Sequence, residues 1–434
     1  MTTNWKEQYA NRTVTADEAV KVIKSGDRVI VAHGGGAPRS VIKAMVARAP
    51  ELKDVEVAHM LTLDECLYAR PEYEGSFRVN ALFAGPTTRE ALATGRGDHT
   101  PVFFKDIPAL FRPGGTLPVD VALISTTEPD ADGYVNLGVA VDYTKEAAKQ
   151  GKAVVAEVNP HMPHVMGDSR MHVSDIDYFV PTNQPLVELA PTKTGPVEQN
   201  IGRHIASLVK DGSCLQLGIG AIPDAVLEFL GDKKDLGIHT ELVSDGVMGL
   251  VERGVITCAR KNYKTGKIII TFAMGTAKFY KWLDNNPMIE SAPVDVTNDP
   301  YLIAKNDNFI SINSCLSVDM LGQVASDTIG PRQYSGIGGQ VDFIRGAAMS
   351  KGGFSILAMP STASKGTVSR ICTTLEKGSA VTTSRCDVDY VVTEHGIAAL
   401  KGKTVRQRAD ALINIAAPEF RDALREERRA IFGW

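Results

Sequence analysis

Glu241 is the residue whose setting most needs a chemical explanation. It stands in GIHTELVSDG (237–246), near the end of a run, 238–243, that has the apolar character of a buried strand. An ionised carboxylate inside a sheet is costly unless it is paired or neutralised. Alternation places His239, Glu241 and Val243 on one face of that predicted strand and Ile238, Thr240 and Leu242 on the other. A structural salt bridge is one explanation and a nucleophile is another. A second stretch, LQLGIGAIPDAV (215–226), puts Gly218 and Gly220 where a strand turns into a helix. Glycine there lets a ligand approach the backbone, and the exposed N–H groups and helix dipole attract negative charge. A tight strand-to-helix turn without a ligand is the plainer alternative. Gly-x-Gly followed by an acid about 20 residues on also imitates a dinucleotide fingerprint, with Glu241 on a ribose. Pro223 replaces the third glycine, so the fingerprint is incomplete and an NAD-dependent dehydrogenase is the lesser reading.

Two further stretches carry candidate contacts. In YSGIGGQVDFIRGAAMS (334–350), glycines 336, 338 and 339 mark a loop that lets a ligand or another segment close in, flanked by Gln340 and Asp342. In MPSTASKGTVSRI (359–371), a polar loop bears Lys365, a cation for a phosphate or an ordinary solvated lysine. HMPHVMGDSRMH (161–172) holds His161, His164, Asp168 and His172. Helical zinc sites want histidines at i and i+4, whereas here the interval is three and Pro163 interrupts it, so no metal is expected. Neither a G-x-S-x-G elbow nor a G-x-x-x-x-G-K-[ST] loop occurs.

The elements that must position these residues form a repeat. Residues 19–46 and 205–230 each read as a helix, Lys-x-Gly, an apolar strand and a glycine-rich turn, ending at Pro38 or Pro223 as the opening of the next helix. Both continue into another strand, VEVAHML or GIHTELV, in which Ala58 is the counterpart of Glu241. In an open parallel sheet, ligands bind beyond the carboxyl ends of the strands. The carboxylate and the glycine turn share one crevice if their strands are neighbours. The Pro-rich segment 181–199 reads as a linker, giving an N-terminal domain over 1–185 and a C-terminal domain over 186–434. Residues 152–180 read as the last strand and loop of the first domain. KIIITFAM, FISINSCLSVD, FSILAMPS and VDYVVTEHGI supply strands to the second, and the final residues form one or two closing helices.

Length and composition agree with this reading. The 434 residues exceed a usual single core, and 44% apolar with 23% charged residues is ordinary globular usage. The net charge is −4, from 47 basic and 51 acidic side chains without like-charge blocks, which disfavours nucleic acid and anionic membrane as partners. The polar first residues lack a signal-peptide core, and the longest apolar runs are strand-sized. Six cysteines without a C-x-x-C pair point to reduced thiols in the cytoplasm.

Taken together and in order, LQLGIGAIPDAV, LGIHTELVSDG, SGIGGQVDF and VVTEHGIA resemble the acetyl-CoA hydrolase/transferase family of coenzyme A transferases, over nearly the whole chain. The resemblance implies two similar open-sheet α/β domains of the class I CoA-transferase kind, with the active site at their interface. It implies Glu241 as the covalent catalyst. Residues Gly218, Ile219, Gly220, Ala221 and Ile222, with Leu316, Gly339 and Lys365, would be the coenzyme A contacts. CoA would move between acetyl-, butyryl- or 4-hydroxybutyryl-CoA and an acid such as acetate through a glutamyl-CoA thioester. Coenzyme A would be a substrate, with no permanently bound cofactor, and the enzyme would be a homodimer or larger homo-oligomer. A short-chain acyl-CoA hydrolase differs only in water access, and a non-catalytic acyl-CoA sensor would not need Glu241 for turnover. The HGGGAPRS turn (33–40) is richer in glycine than the 4-hydroxybutyrate enzymes would have it and borders the acyl pocket in this reading.

Overall fold

The computed structural model describes residues 4–434. The chain gathers into two compact units, one formed by residues up to Leu189 together with Ile269–Thr297, the other by Ala190–Ile268 and Asn298–Trp434. A single cut between 185 and 186 therefore does not describe the division. The excursion returns to the first unit because its apolar side chains are buried there. Phe272 lies 4.2 Å from the His33 ring, centroid to centroid, and the Tyr280 hydroxyl donates to Val187 O at 2.9 Å.

Each unit is built on an open, mainly parallel sheet. The first contains β1 (Arg28–Val31), β2 (Val55–His59), β3 (Phe77–Ala81), β4 (Gly97–His99), β5 (Val121–Thr126), β6 (Ala153–Val158) and β7 (Tyr178–Pro181), in the order β4-β3-β2-β1-β5-β6-β7 with every pairing parallel. Val, Ile and Ala fill these strands because both faces are covered. Val29, Val31, Val57, Val79, Leu123 and Val155 share one core with Val41, Ile42 and Met45 of α1 (Arg39–Ala47). The second unit contains β8 (Cys214–Leu217), β9 (Gly237–Ile238), β10 (Phe309–Ser314), β11 (Phe354–Ala358), β12 (Tyr390–Thr393) and β13 (Gly396–Ala399). Their order is β9-β8-β10-β11-β12-β13, and only the last pairing is antiparallel. The two closing helices are Val405–Ile415 and Arg421–Phe432. Residues 182–195 carry neither helix nor strand, so the linker begins and ends slightly inside its predicted bounds.

The repeat is present in the backbone. Gly26 and Gly212 both have positive φ, at 83° and 74°. They donate to Lys53 O and Lys234 O at 2.9 Å each. Asp54 and Asp235, which lead into β2 and β9, share φ near 52° and 53°. In both β1→α1→β2 and β8→α2→β9 (α2, Ala221–Glu228) the two strands are direct neighbours in parallel pairing. Pro38 is the cap residue preceding α1, whereas Pro223 is the third residue of α2. In that first turn its missing N–H removes no helical bond. With Gly26 set against Gly212, the pairing registers make Met60 the counterpart of Glu241, rather than Ala58. The predicted strand 238–243 also stops early. Its ladder ends at Ile238, after which the Thr240 hydroxyl takes the Leu217 carbonyl at 2.9 Å and the chain leaves the sheet.

A second repeated piece escaped the sequence reading. Gly138 and Gly338 share φ +57°. Val141, Asp142 and Tyr143, just before the helix Thr144–Gln150, correspond to Val341, Asp342 and Phe343 in the first turn of α3 (Gln340–Met349), and the two helices join equivalent strands. In the first unit Asp142 is fully buried and holds the His33 ring, Oδ2 to Nδ1, at 2.9 Å.

In the first unit the end of α1 is closed by the chain itself. Glu157, near the carboxyl end of β6 and only 3% exposed, accepts from Ser40 N at 2.7 Å, Val41 N at 3.4 Å and the Ser40 hydroxyl. The carboxylate satisfies N–H groups that have no intrahelical partner and lies at the positive end of the helix. Glu157→Ala should lower unfolding free energy by about 2–3 kcal/mol, the scale of charge-assisted hydrogen bonds. Equilibrium urea denaturation reads this, and an unchanged midpoint would contradict it.

Candidate active site

The second unit uses the same strand-to-helix turn differently. β8 runs into Gly218, Ile219 and Gly220, and α2 begins at Ala221 with no side chain capping it among the described residues. Gly220 has φ +107°, a conformation that glycine adopts without strain. A Cβ at either Gly218 or Gly220 would meet nothing within 4 Å. The registers show why no carboxylate from the sheet caps this end, although its first turn carries Asp224. Ser125 pairs with Glu157 in the first unit, and its counterpart Ser314 pairs with Ala358 in the second. Ala358 thus stands where Glu157 plugs the first copy. β8 lies between β9 and β10, so this turn sits where the strand order reverses, the position at which open α/β sheets bind ligands.

Glu241 follows β9, the direct neighbour of β8, and is partly buried. Its Oε2 accepts from Asn298 Nδ2 at 3.1 Å. Asn298 is fully buried, and its Nδ2 lies 3.5 Å from Asp342 Oδ2. The Asn298 side-chain carbonyl has no hydrogen-bond partner among the described residues. A buried amide oxygen is normally satisfied, so this one is an exception among the described residues. Gly339, the cap residue of α3, lies directly against the carboxylate. A Cβ there would overlap Glu241 Oε2 and the Asn298 amide, and would lie 3.1 Å from Glu241 Cδ. The first-turn N–H groups of α3 and its dipole therefore sit beside an anion. Gln340 pins that turn by donating to Ser326 Oγ at 3.0 Å and Thr383 Oγ1 at 2.8 Å.

Four of the six cysteines are poor candidates for a competing nucleophile. Burial pushes Cys214, Cys315 and Cys372 up to about 12 and Cys66 to about 11. A thiol held protonated at neutral pH is a poor nucleophile.

Of the residues singled out in the sequence, Glu241 and Gly339 are brought into contact. Gly218, Ile219, Gly220, Ala221 and Ile222 occupy the turn at the end of β8 and the start of α2. Leu316, partly buried, follows the neighbouring β10, its N–H bonded to Ala325 O at 2.9 Å. Lys365 is exposed at the tip of a hairpin, Thr362–Ala363 against Val368–Ser369. It forms no hydrogen bond with the others among the described residues. Its turn, Ser364–Gly366, has positive φ at all three residues. Asn298 was missed; a lone asparagine in DVTNDP carries no motif. The histidines are engaged separately, His161 with Asn183 at 3.0 Å and His172 with Ser174 at 2.8 Å.

Residues 1–191 match the acetyl-CoA hydrolase/transferase N-terminal domain and residues 275–428 match the C-terminal domain of the same family. The chain belongs to the acetyl-CoA hydrolase/transferase family. It is 54% identical to 4-hydroxybutyrate coenzyme A transferase of Clostridium kluyveri, over 99% of this chain and 100% of that one. That alignment spans residues 192–274, which lie between the two family matches and carry Glu241. Butyryl-CoA:acetate CoA-transferase of Anaerostipes caccae is 37% identical over 97% of this chain and 96% of its own. Among solved structures, RipA from Yersinia pestis superposes with TM-score 0.92 at 36% identity, covering 99% of this chain and 100% of that one. The expected pair of open-sheet α/β domains is thus the family's fold as well as this chain's.

The contact between Gly339 and Glu241 in this family member predicts a specific sensitivity. Gly339→Ala should reduce acyl-CoA turnover by about a hundredfold, the order expected when a reacting group is displaced by about 1 Å. Gly249→Ala, whose Cβ meets nothing within 4 Å, is the control. Steady-state rates of the two variants check this, and full activity of Gly339→Ala would contradict the packing argument.

Proposed function

We propose that this protein is a coenzyme A transferase in which Glu241 carries CoA as a glutamyl thioester between a short-chain acyl-CoA and a free carboxylic acid. The observation that carries the reading is a partly buried carboxylate gripped by Asn298 at 3.1 Å and lying against a helix end that has glycine at its cap. The names of the relatives support acetyl, butyryl or 4-hydroxybutyryl groups as the acyl class and acetate as an acceptor.

In this reading the Glu241 carboxylate attacks the acyl-CoA carbonyl. The C–S bond breaks, leaving an acyl-glutamyl anhydride and CoA thiolate. The thiolate then attacks the glutamyl carbonyl and expels the first acid, which departs with one oxygen from Glu241. The second acid attacks the resulting glutamyl-CoA thioester, and the released thiolate attacks the new acyl carbonyl of the anhydride. Product acyl-CoA leaves and the carboxylate is restored. The kinetics are ping-pong. One thioester is exchanged for another, so neither ATP nor a resident cofactor is required, and coenzyme A comes and goes as substrate. No helix among the described residues is long and apolar enough to cross a membrane; we place the enzyme in the cytoplasm, where its six free thiols stay reduced.

Each step passes through a tetrahedral oxyanion. Amide groups at Gly338 and Gly339 or at Gly218 and Gly220 would receive it, one such donor being worth about 3 kcal/mol. Asn298 keeps one Glu241 oxygen oriented while the other reacts. The turn of Gly218, Ile219, Gly220, Ala221 and Ile222 would take anionic groups of coenzyme A, with Leu316 and Lys365 as further contacts.

Incubation with acetyl-CoA followed by borohydride should convert Glu241 to the corresponding alcohol, located by peptide mass mapping, and only when acyl-CoA is present. An unmodified Glu241 in protein that still transfers CoA would overturn the proposal.

A further inference from the structure

Arg370 has no assigned role, and its surroundings do not explain its charge. It sits where the Lys365 hairpin rejoins the fold, between Val368–Ser369 and Ile371–Cys372. Its backbone is fixed on both sides. The N–H donates to Ser361 O at 2.9 Å and the carbonyl accepts from Val318 N at 3.0 Å. The side chain is partly buried. Its Nε is buried without a hydrogen-bond partner among the described residues, and Nη1 reaches only the Cys315 carbonyl, at 3.5 Å.

No carboxylate pairs with this guanidinium among the described residues. Other arginines are satisfied: Arg28 pairs with Glu56 at 2.8 Å, Arg96 with Glu90 at 3.2 Å and Arg112 with Glu146 at 3.1 Å, while Arg12 and Arg421 donate to backbone carbonyls at 2.6 and 2.9 Å. Arginine cannot shed its proton to relieve burial, so a charge held this way calls for an anion. An acid that reaches the same hairpin is engaged elsewhere. Glu394 of the VVTEHGIA motif accepts from Ser361 N at 2.8 Å and from the Ser361 hydroxyl at 2.6 Å. It clamps the root of the hairpin to the end of β12.

The position is that of a ligand site. Cys315 follows β10 and Ser361 lies just beyond β11, so Arg370 stands over the carboxyl ends of two central parallel strands, next to Leu316. Guanidinium forks suit phosphate oxygens bidentately. Lys365 on the same hairpin adds a second cation, which fits a polyanion better than a single carboxylate. We infer that Arg370 binds a phosphate group of coenzyme A, with Glu394 as the residue that positions its hairpin. The inference rests on the transferase reading, since it presumes that CoA is the ligand.

Calorimetric titration with CoA and with pantetheine, which lacks the phosphates, tests it on the wild-type chain, Arg370→Gln and Arg370→Lys. Arg370→Gln should bind CoA about ten- to a hundredfold more weakly, as expected for a charged hydrogen bond. Its affinity for pantetheine and its KM for acetate should hold, and Arg370→Lys should recover part of the loss. Equal CoA affinity in wild type and Arg370→Gln would overturn the inference. So would an equal loss toward CoA and pantetheine, which marks a structural role, or a raised KM for acetate alone, which marks a carboxylate pocket. Should Arg370→Gln fail to fold, the lysine variant with the two ligands decides the matter. A wild-type protein that does not take CoA would remove the transferase reading itself, a result distinct from all of these.

Discussion

A carboxylate resting on a glycine is the constraint around which the second unit is arranged. Glu241 occupies space that any side chain at position 339 would fill, and its charge lies beside the opening turn of α3. Several features serve that contact. The ladder between β8 and β9 ends after two residues, which releases Glu241 from the sheet near the switch in strand order. Asn298 is buried to hold one oxygen. Gln340 is tied to Ser326 and Thr383 so that the helix end does not drift. An anion at a helix N-terminus is stabilised by about 0.3–1 kcal/mol at exposed sites and more where solvent is reduced. That contribution adds to the Asn298 hydrogen bond in holding the carboxylate against the helix end.

The duplicated architecture shows how one scaffold serves two purposes. Both units carry the Lys-x-Gly turn, the positive-φ glycine, and a later Val-Asp-aromatic helix start. In the first unit Glu157 supplies an internal anion to α1, and Asp142 is spent on His33. In the second, Ala358 replaces Glu157, so no strand carboxylate caps α2, and the Asp224 carboxylate of its first turn accepts from Thr192 N instead. Asp342 lies beside Asn298 instead. The difference between the two units at this turn thus comes down to a few side chains at the carboxyl ends of equivalent strands.

Much of this was legible in the sequence because it depends on local backbone chemistry. Glycines 26, 212, 218, 220 and 339 mark turns and close approaches, and the alternation of apolar strands with helices fixes a parallel sheet. Glu241 was conspicuous as a carboxylate in an apolar run. What escaped depends on contacts distant in sequence. Asn298 reaches Glu241 across 57 residues of chain, and nothing local distinguishes it. The return of Ile269–Thr297 to the first unit follows from where Phe272 and Tyr280 find partners. The counterpart of Glu241 was misplaced at Ala58 because loop lengths differ between copies, and only strand register puts it at Met60. The Val-Asp-aromatic repeat at 141 and 341 was visible in principle, at a constant offset of 200 residues.

The central claim is that an oxygen of Glu241 is exchanged with the acids at each turnover, since the acceptor acid adds to the glutamyl carbonyl and leaves one of its oxygens behind. Turnover of an acyl-CoA with heavy-oxygen acetate, followed by mass measurement of the peptide that contains Glu241, reads this directly. The account predicts heavy oxygen in the Glu241 side chain. A fully active enzyme whose Glu241 stays unlabelled would contradict it.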